Sequence, residues 1–147
     1  MLDRVLVAWD GSPPAQRALD LAVSLARRYG AEIVAVSVAH SPMHAETEED
    51  RIESVDAARK YLEGTFSRIR DRAERAGVPI EHVIVEGEEE PADDLIRYAH
   101  EHGFDLVVAG HHRGRRSPGR LVLHGLADRL VAHADLPVLI VGDTGGA

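Results

Sequence analysis

Asp10, Gly11 and Ser12 follow directly on an apolar run and precede an amphipathic stripe. That order puts a carboxylate and a hydroxyl at the turn between a strand and a helix. Backbone N–H groups and the helix dipole at such a turn point at whatever fills the adjoining crevice. Asp10 can orient a ribose hydroxyl, a metal or a water there. The plainer alternative is that Asp10 and Ser12 serve only the turn and the helix cap. A second stretch with chemical capacity runs from Gly110 to Arg120. Gly110, Gly114 and Gly119 are interspersed with Arg113, Arg115, Arg116 and Arg120, with His111 and His112 beside them, and a helix start follows. Glycines let backbone approach a phosphate closely, and arginine fits phosphate oxygens with two hydrogen bonds. The plainer alternative here is a solvated basic loop paired with the protein's own acidic surface.

Other chemistries are excluded by what is missing. There is no cysteine, so disulfides, thiolate zinc sites and thiol catalysis drop out. His111, His112 and His124 have no Asp or Glu at a spacing that completes a metal set with them. Glu86 to Glu90 is an acidic, solvated turn rather than a cation site. No G-x-G-x-x-G follows the first strand and no G-K-[ST] follows any strand, which excludes the dinucleotide fingerprint and the Walker loop. A phospho-receiver site needs a lysine ending its last strand, and the only lysine, Lys60, lies in the longest helical stripe.

The elements that must carry these two loops follow from the apolar period, which switches between short continuous runs and helical stripes. Arg4 to Ala8 reads as a strand buried on both faces. Ser12 caps a helix with Pro13 at its first position and Gly30 as its stop. Ile33 to Val38 is the second strand, and His40 to Glu49 is polar and irregular. Ile52, Val55, Leu62, Phe66, Ile69, Ala73 and Ala76 mark a long helix ending at Gly77. Ile80 to Val85 forms the third strand, Pro91 opens a helix through Leu95, Ile96 and Ala99, and Phe104 to Ala109 is the fourth strand. Leu123, Leu126, Ala127, Leu130, Val131 and Ala134 mark the last helix before the fifth strand, Val138 to Val141.

Strands alternating with helices predict an α/β, Rossmann-like fold: an open five-stranded parallel sheet with helices on both faces. In the order 3-2-1-4-5 the ligand crevice lies between strands one and four, and the loops at Asp10 and Gly110 become neighbours. This order is one of a few that the alternation allows. The chain has 147 residues, 44% of them apolar and 29% charged, which suits one domain over residues 1–142 with a short flexible tail at 143–147. A net charge of −8 disfavours nucleic acid, whose phosphates demand a basic footprint. There is no signal-peptide pattern and no apolar run long enough for a membrane span, so the expected location is cytoplasmic, away from any membrane.

Four stretches in order, Val5-Leu-Val-Ala-Trp-Asp-Gly-Ser12, Val85-Glu-Gly87 with Pro91-Ala92, Asp105-Leu-Val-Val-Ala-Gly110 and Asp135-Leu-Pro-Val-Leu-Ile-Val141, together resemble the universal stress protein family. The resemblance spans nearly the whole chain. It implies the sheet order 3-2-1-4-5, homodimers through the edge of the fifth strand and, in one branch, ATP held between strands one and four. In that branch the residues matching Ala8, Trp9 and Asp10 lie at the nucleotide, and the one matching Val38 offers backbone groups to the adenine. Gly110 and the loop through His111, His112, Gly114, Arg115, Arg116, Gly119 and Arg120 hold ribose and phosphates. The N–H groups of Gly125, Leu126 and Ala127 face the phosphates. The branch's pattern is Gly-x2-Gly-x9-Gly-Ser/Thr. Here Gly114 stands one residue late and Leu126 replaces the hydroxyl residue.

The leading expectation is therefore a dimeric regulatory module binding an adenine nucleotide, ATP with or without Mg²⁺ first and ADP or AMP as alternatives, with little or no turnover. A second expectation is a stress protein that lacks nucleotide and works through protein interaction. A third is a nucleotide hydrolase using Asp10 and a metal, for which the sequence places no second carboxylate or general base near the loop.

Overall fold

In a computed structural model, residues 2–40, 46–111 and 125–142 are described. Nine elements alternate among them: β1 (Arg4–Ala8), α1 (Pro13–Tyr29), β2 (Glu32–Ala39), α2 (Glu48–Arg75), β3 (Ile80–Glu86), α3 (Pro91–Glu101), β4 (Leu106–Gly110), α4 (Leu126–His133) and β5 (Val138–Val141). The strands form one parallel sheet in the order β3-β2-β1-β4-β5. Val7 is registered against Ala35 on one side and Val108 on the other, so β1 is the central strand. The expected α/β class and strand order are thus both present.

Successive side chains of a strand point to opposite faces, and β1 divides accordingly. Val5, Val7 and Trp9 enter a core with Leu19 of α1 and with Phe66 and Ile69 of α2. Leu6 and Ala8 enter a second core with Leu95 of α3 and with Leu126 and Leu130 of α4. Each fully buried side chain of this size stabilises the fold by about 1.5–3 kcal/mol relative to exposure. Helices therefore cover both faces, and β1 to β4 is where the chain's winding reverses.

Local signals set the element ends. The Ser12 hydroxyl accepts from the Ala15 N–H, Pro13 occupies the first turn of α1, and Gly30 closes the helix at φ +71° with its N–H donating to the Ala26 carbonyl. Several boundaries shift by one to three residues from the sequence expectation, and two elements differ for a clear local reason. α2 begins at Glu48 inside the stretch expected to be irregular, because Thr47 caps it at the Asp50 N–H and Glu48, Glu49 and Asp50 suit the positive end of the helix dipole. Its first turn is polar, so no apolar stripe announces it. β4 runs from Leu106 to Gly110 rather than Phe104 to Ala109. The Phe104 N–H donates to the Ala99 carbonyl at the end of α3, which keeps Phe104 out of the ladder. The expected tail at 143–147 and the Leu123 end of the last helix lie outside the described residues.

Candidate functional site

The C-terminal ends of β1, β2 and β4 converge on a cleft of about 350 Å³. Ala8, Val36, Val38 and Leu95 make it apolar on one side. Pro14 and Ala15 of α1 and Ala58, Tyr61 and Leu62 of α2 close it on others, and Gly110 and Leu126 border it from β4 and α4. Among the described lining residues the ionisable side chains are Asp10, His40 and Tyr61.

Asp10 sits where β1 ends. Its Oδ1 accepts from the Ser12 N–H at 3.0 Å and from the Ser12 hydroxyl, an Asx-turn that fixes the carboxylate while Ser12 caps α1. Turn service and site service are thus compatible, since the turn occupies one carboxylate oxygen. Gly11 has φ +80°, and a Cβ there would lie 2.6 Å from Thr65 Cγ2, so both backbone conformation and space require glycine.

Trp9 is held from three directions. Its indole N–H donates to Thr65 Oγ1 at 3.1 Å, and the Thr65 hydroxyl in turn donates to the Leu62 carbonyl. Its ring meets Phe66 edge to face at 6.3 Å. Its carbonyl accepts from the Ser37 hydroxyl at 2.7 Å. Ser37 has one proton and gives it to Trp9, so the 2.8 Å contact between Ser37 Oγ and His82 Nε2 has the imidazole as donor. Burial, with the positive charge of Arg70 adding to it, pushes the His82 imidazole down to about 4. His82 stacks on Phe66 at 4.4 Å. This chain of contacts ties the end of β1 to β2, β3 and α2.

On the β4 side, Gly110 packs against the first turn of α1, and a Cβ on it would lie 2.2 Å from the Pro14 carbonyl oxygen. The His111 N–H donates to the Val141 carbonyl at 3.0 Å, tying the next residue to β5. α4 starts beyond at Gly125, which caps it at φ +92°, with Leu126 and Ala127 buried in its first turn.

A sequence model of the universal stress protein family matches residues 1–142. The chain belongs to the universal stress protein family. The universal stress protein YxiE of Bacillus subtilis is 30% identical over 155 residues, covering 96% of this chain and 99% of that protein. The crystal structure of a universal stress protein family member from Burkholderia pseudomallei is 34% identical and superposes with TM-score 0.77, covering 95% of this chain and 96% of that one. A universal stress protein crystallised in complex with cAMP is 25% identical with TM-score 0.69, covering 96% and 97%.

Of the site residues expected from sequence and resemblance, the structure brings Ala8, Trp9, Asp10, Val38, Gly110 and Leu126 together at one cleft. His111, Gly125 and Ala127 lie beside it without lining it. His112, Gly114, Arg115, Arg116, Gly119 and Arg120 lie outside the described residues. Leu126 packs into the α3/α4 core with Leu130.

The sequence reading missed Tyr61, His40 and Asp94. Asp94, in the first turn of α3, is 2% exposed. Its carboxylate accepts from the Glu89 N–H at 3.3 Å, more weakly from the Glu88 N–H at 3.4 Å, and from Arg97 at 2.8 Å. The acidic turn is therefore organised around Asp94 by its backbone, while the Glu88, Glu89 and Glu90 side chains remain exposed. An acid early in a helix is a visible signal. Its burial, and its reach to His40 at 3.4 Å, depend on how α3 docks against β2.

Proposed function

We propose that this universal stress protein is a regulatory module that binds an adenine nucleotide in the cleft between β1 and β4, with little or no turnover. The observation that carries the reading is the convergence of Asp10, Val38 and Gly110 on one cleft at the point where the sheet's winding reverses, the place where open α/β sheets take ligands. Its volume lies within the range of small-molecule sites, and its apolar side suits a purine. The cAMP complex of a family member with 25% identity supports adenine as the base.

ATP is the leading ligand, with or without Mg²⁺, and ADP and AMP are the alternatives. The proposed contacts are Ala8, Trp9, Asp10 and Val38 for the nucleoside, and Gly110, His111 and the loop through His112, Gly114, Arg115, Arg116, Gly119 and Arg120 for ribose and phosphates. The N–H groups of Gly125, Leu126 and Ala127 complete the phosphate end. Isothermal titration with ATP, ADP and AMP at millimolar concentration tests this: saturable binding is expected, and no heat from any of the three overturns it.

A second reading, a stress protein working through protein interaction without nucleotide, is favoured by one observation, the burial of Leu126 in place of a hydroxyl residue. Nucleotide co-purifying with the protein removes that reading.

The same proposal includes a homodimer. β5 is an edge strand of four apolar residues, each half-buried, and Val131 of α4 is exposed nearby in sequence. An unpaired apolar edge invites pairing with a second copy. Light scattering is expected to give twice the chain mass, and a monomer mass contradicts it. No helix among the described residues is long and apolar enough to cross a membrane. We place the protein in the cytoplasm, to be checked by fractionation. We take residues 1–142 as the folding unit, so that deleting 143–147 leaves the unfolding temperature unchanged.

A further inference from the structure

β2 carries Val36 and Val38 to the cleft, and His40, one residue beyond the strand's end, continues the same face with the period of two. His40 is therefore the side chain next to the position assigned to the base. Its ring is fixed from behind. Gly87, whose N–H donates to the Ala39 carbonyl, has no side chain at the point where a Cβ would lie 2.5 Å from His40 Nε2. That nitrogen is shielded from solvent, has no hydrogen-bond partner among the described residues and sits 3.4 Å from Asp94 Oδ2. The distance is too long for a good hydrogen bond but short enough for strong electrostatic bias. Asp94 is itself held by Arg97 and two backbone N–H groups, so its charge is fixed in place.

A neutral imidazole has one N–H and one lone pair, and the tautomer follows the surroundings. The Asp94 carboxylate favours the proton on Nε2. Nδ1 is then an acceptor, on the ring that lines the cleft.

We propose that His40 selects the base, with Asp94 as the positioning residue behind it: Nδ1 accepts from an exocyclic amine, so the cleft takes a 6-aminopurine and rejects a 6-oxopurine. The 6-oxo oxygen would face the Nδ1 lone pair with no proton between them. A site built to accept a hydrogen bond discriminates strongly, because the wrong ligand leaves a buried polar atom unpaired.

The inference rests on the nucleotide reading above, and the test separates the two. AMP and IMP differ at this purine position, and their affinities are measured at about pH 8, above the usual imidazole range. The natural chain is compared with His40→Leu and His40→Gln, each checked for fold by circular dichroism. The natural chain is expected to prefer AMP about tenfold or more. In His40→Leu the preference falls to within about twofold, and in His40→Gln, whose amide presents either a donor or an acceptor, it falls similarly. An AMP/IMP ratio near one in the natural chain overturns the inference and leaves nucleotide binding standing. A ratio unchanged by both substitutions also overturns it. Binding of neither ligand by the natural chain overturns the nucleotide reading and this inference with it.

Discussion

Gly110 lies against the Pro14 carbonyl so closely that a single added carbon would stand 2.2 Å from its oxygen. The contact joins the end of β4 to the first turn of α1, and so holds the two loops of the cleft together. Neither partner can yield cheaply, because one is a strand end and the other is helix backbone. Gly110→Ala is expected to destabilise the fold by about 2–3 kcal/mol through backbone displacement. It should also weaken nucleotide binding, since the cleft walls part. Urea unfolding alongside ligand titration checks both, and a neutral Gly110→Ala would mean that the two loops move independently.

Asp94 makes a second prediction. Removing its carboxylate leaves the N–H groups of Glu88 and Glu89 without their acceptor and Arg97 without its closest partner at 2.8 Å. Asp94→Ala is expected to cost about 2–4 kcal/mol, and Asp94→Asn, which keeps an acceptor oxygen, less. The denaturant midpoint reads the difference. Equal midpoints for the natural chain and Asp94→Ala would show that the acidic turn stands without it.

His82 predicts a pH dependence with a definite sign. Its imidazole is held down to about 4 in the folded chain, chiefly by burial, against an ordinary value near 6.5. Between those values the unfolded chain binds the proton and the folded chain does not, so stability rises with pH through this window and falls on acidification from 6.5 towards 4. The full difference would be on the order of 3 kcal/mol, and partial solvent access reduces it to about 1–2 kcal/mol. Protonation would also set a charge beside Phe66 while leaving the Nε2–H that Ser37 accepts in place. Unfolding by urea at about pH 7 and pH 5 should show the loss, and His82→Gln should flatten it. Trp9 is the chain's one tryptophan and reports the transition by fluorescence.

The strands and helices were legible because their burial is periodic. β1 and β2 are apolar on successive residues, and Ser12, Pro13 and Gly30 mark the bounds of α1. The start of α2 was not legible, since Glu48, Glu49 and Asp50 are stabilised by a cap and a dipole rather than by an apolar face. At the site, Asp10 and Gly110 stand at strand ends and declare themselves through their neighbours in sequence. His40, Tyr61 and Asp94 do not. Each is an ordinary polar residue by local pattern: the end of β2 carries His40 to the cleft, the docking of α2 brings Tyr61 there, and the docking of α3 sets Asp94 behind His40.

Leu126 gives the last prediction, because two effects of one side chain pull apart there. It occupies the first position of α4, beside the cleft, and is 8% exposed within the core that also holds Leu95 and Leu130. Leu126→Ser removes most of that apolar contact and is expected to lower stability by about 2–4 kcal/mol. The same change puts a hydroxyl at a helix start whose free N–H groups and dipole already favour an anion. One added hydrogen bond to a phosphate, worth about 1 kcal/mol, should tighten ATP roughly fivefold. Adenosine, which has no phosphate, should gain nothing. Thermal unfolding and titration of both ligands separate the effects. If the variant is destabilised while ATP and adenosine affinities change in parallel, the phosphates do not reach α4, and the phosphate end of the proposed site must be sought in the basic loop alone.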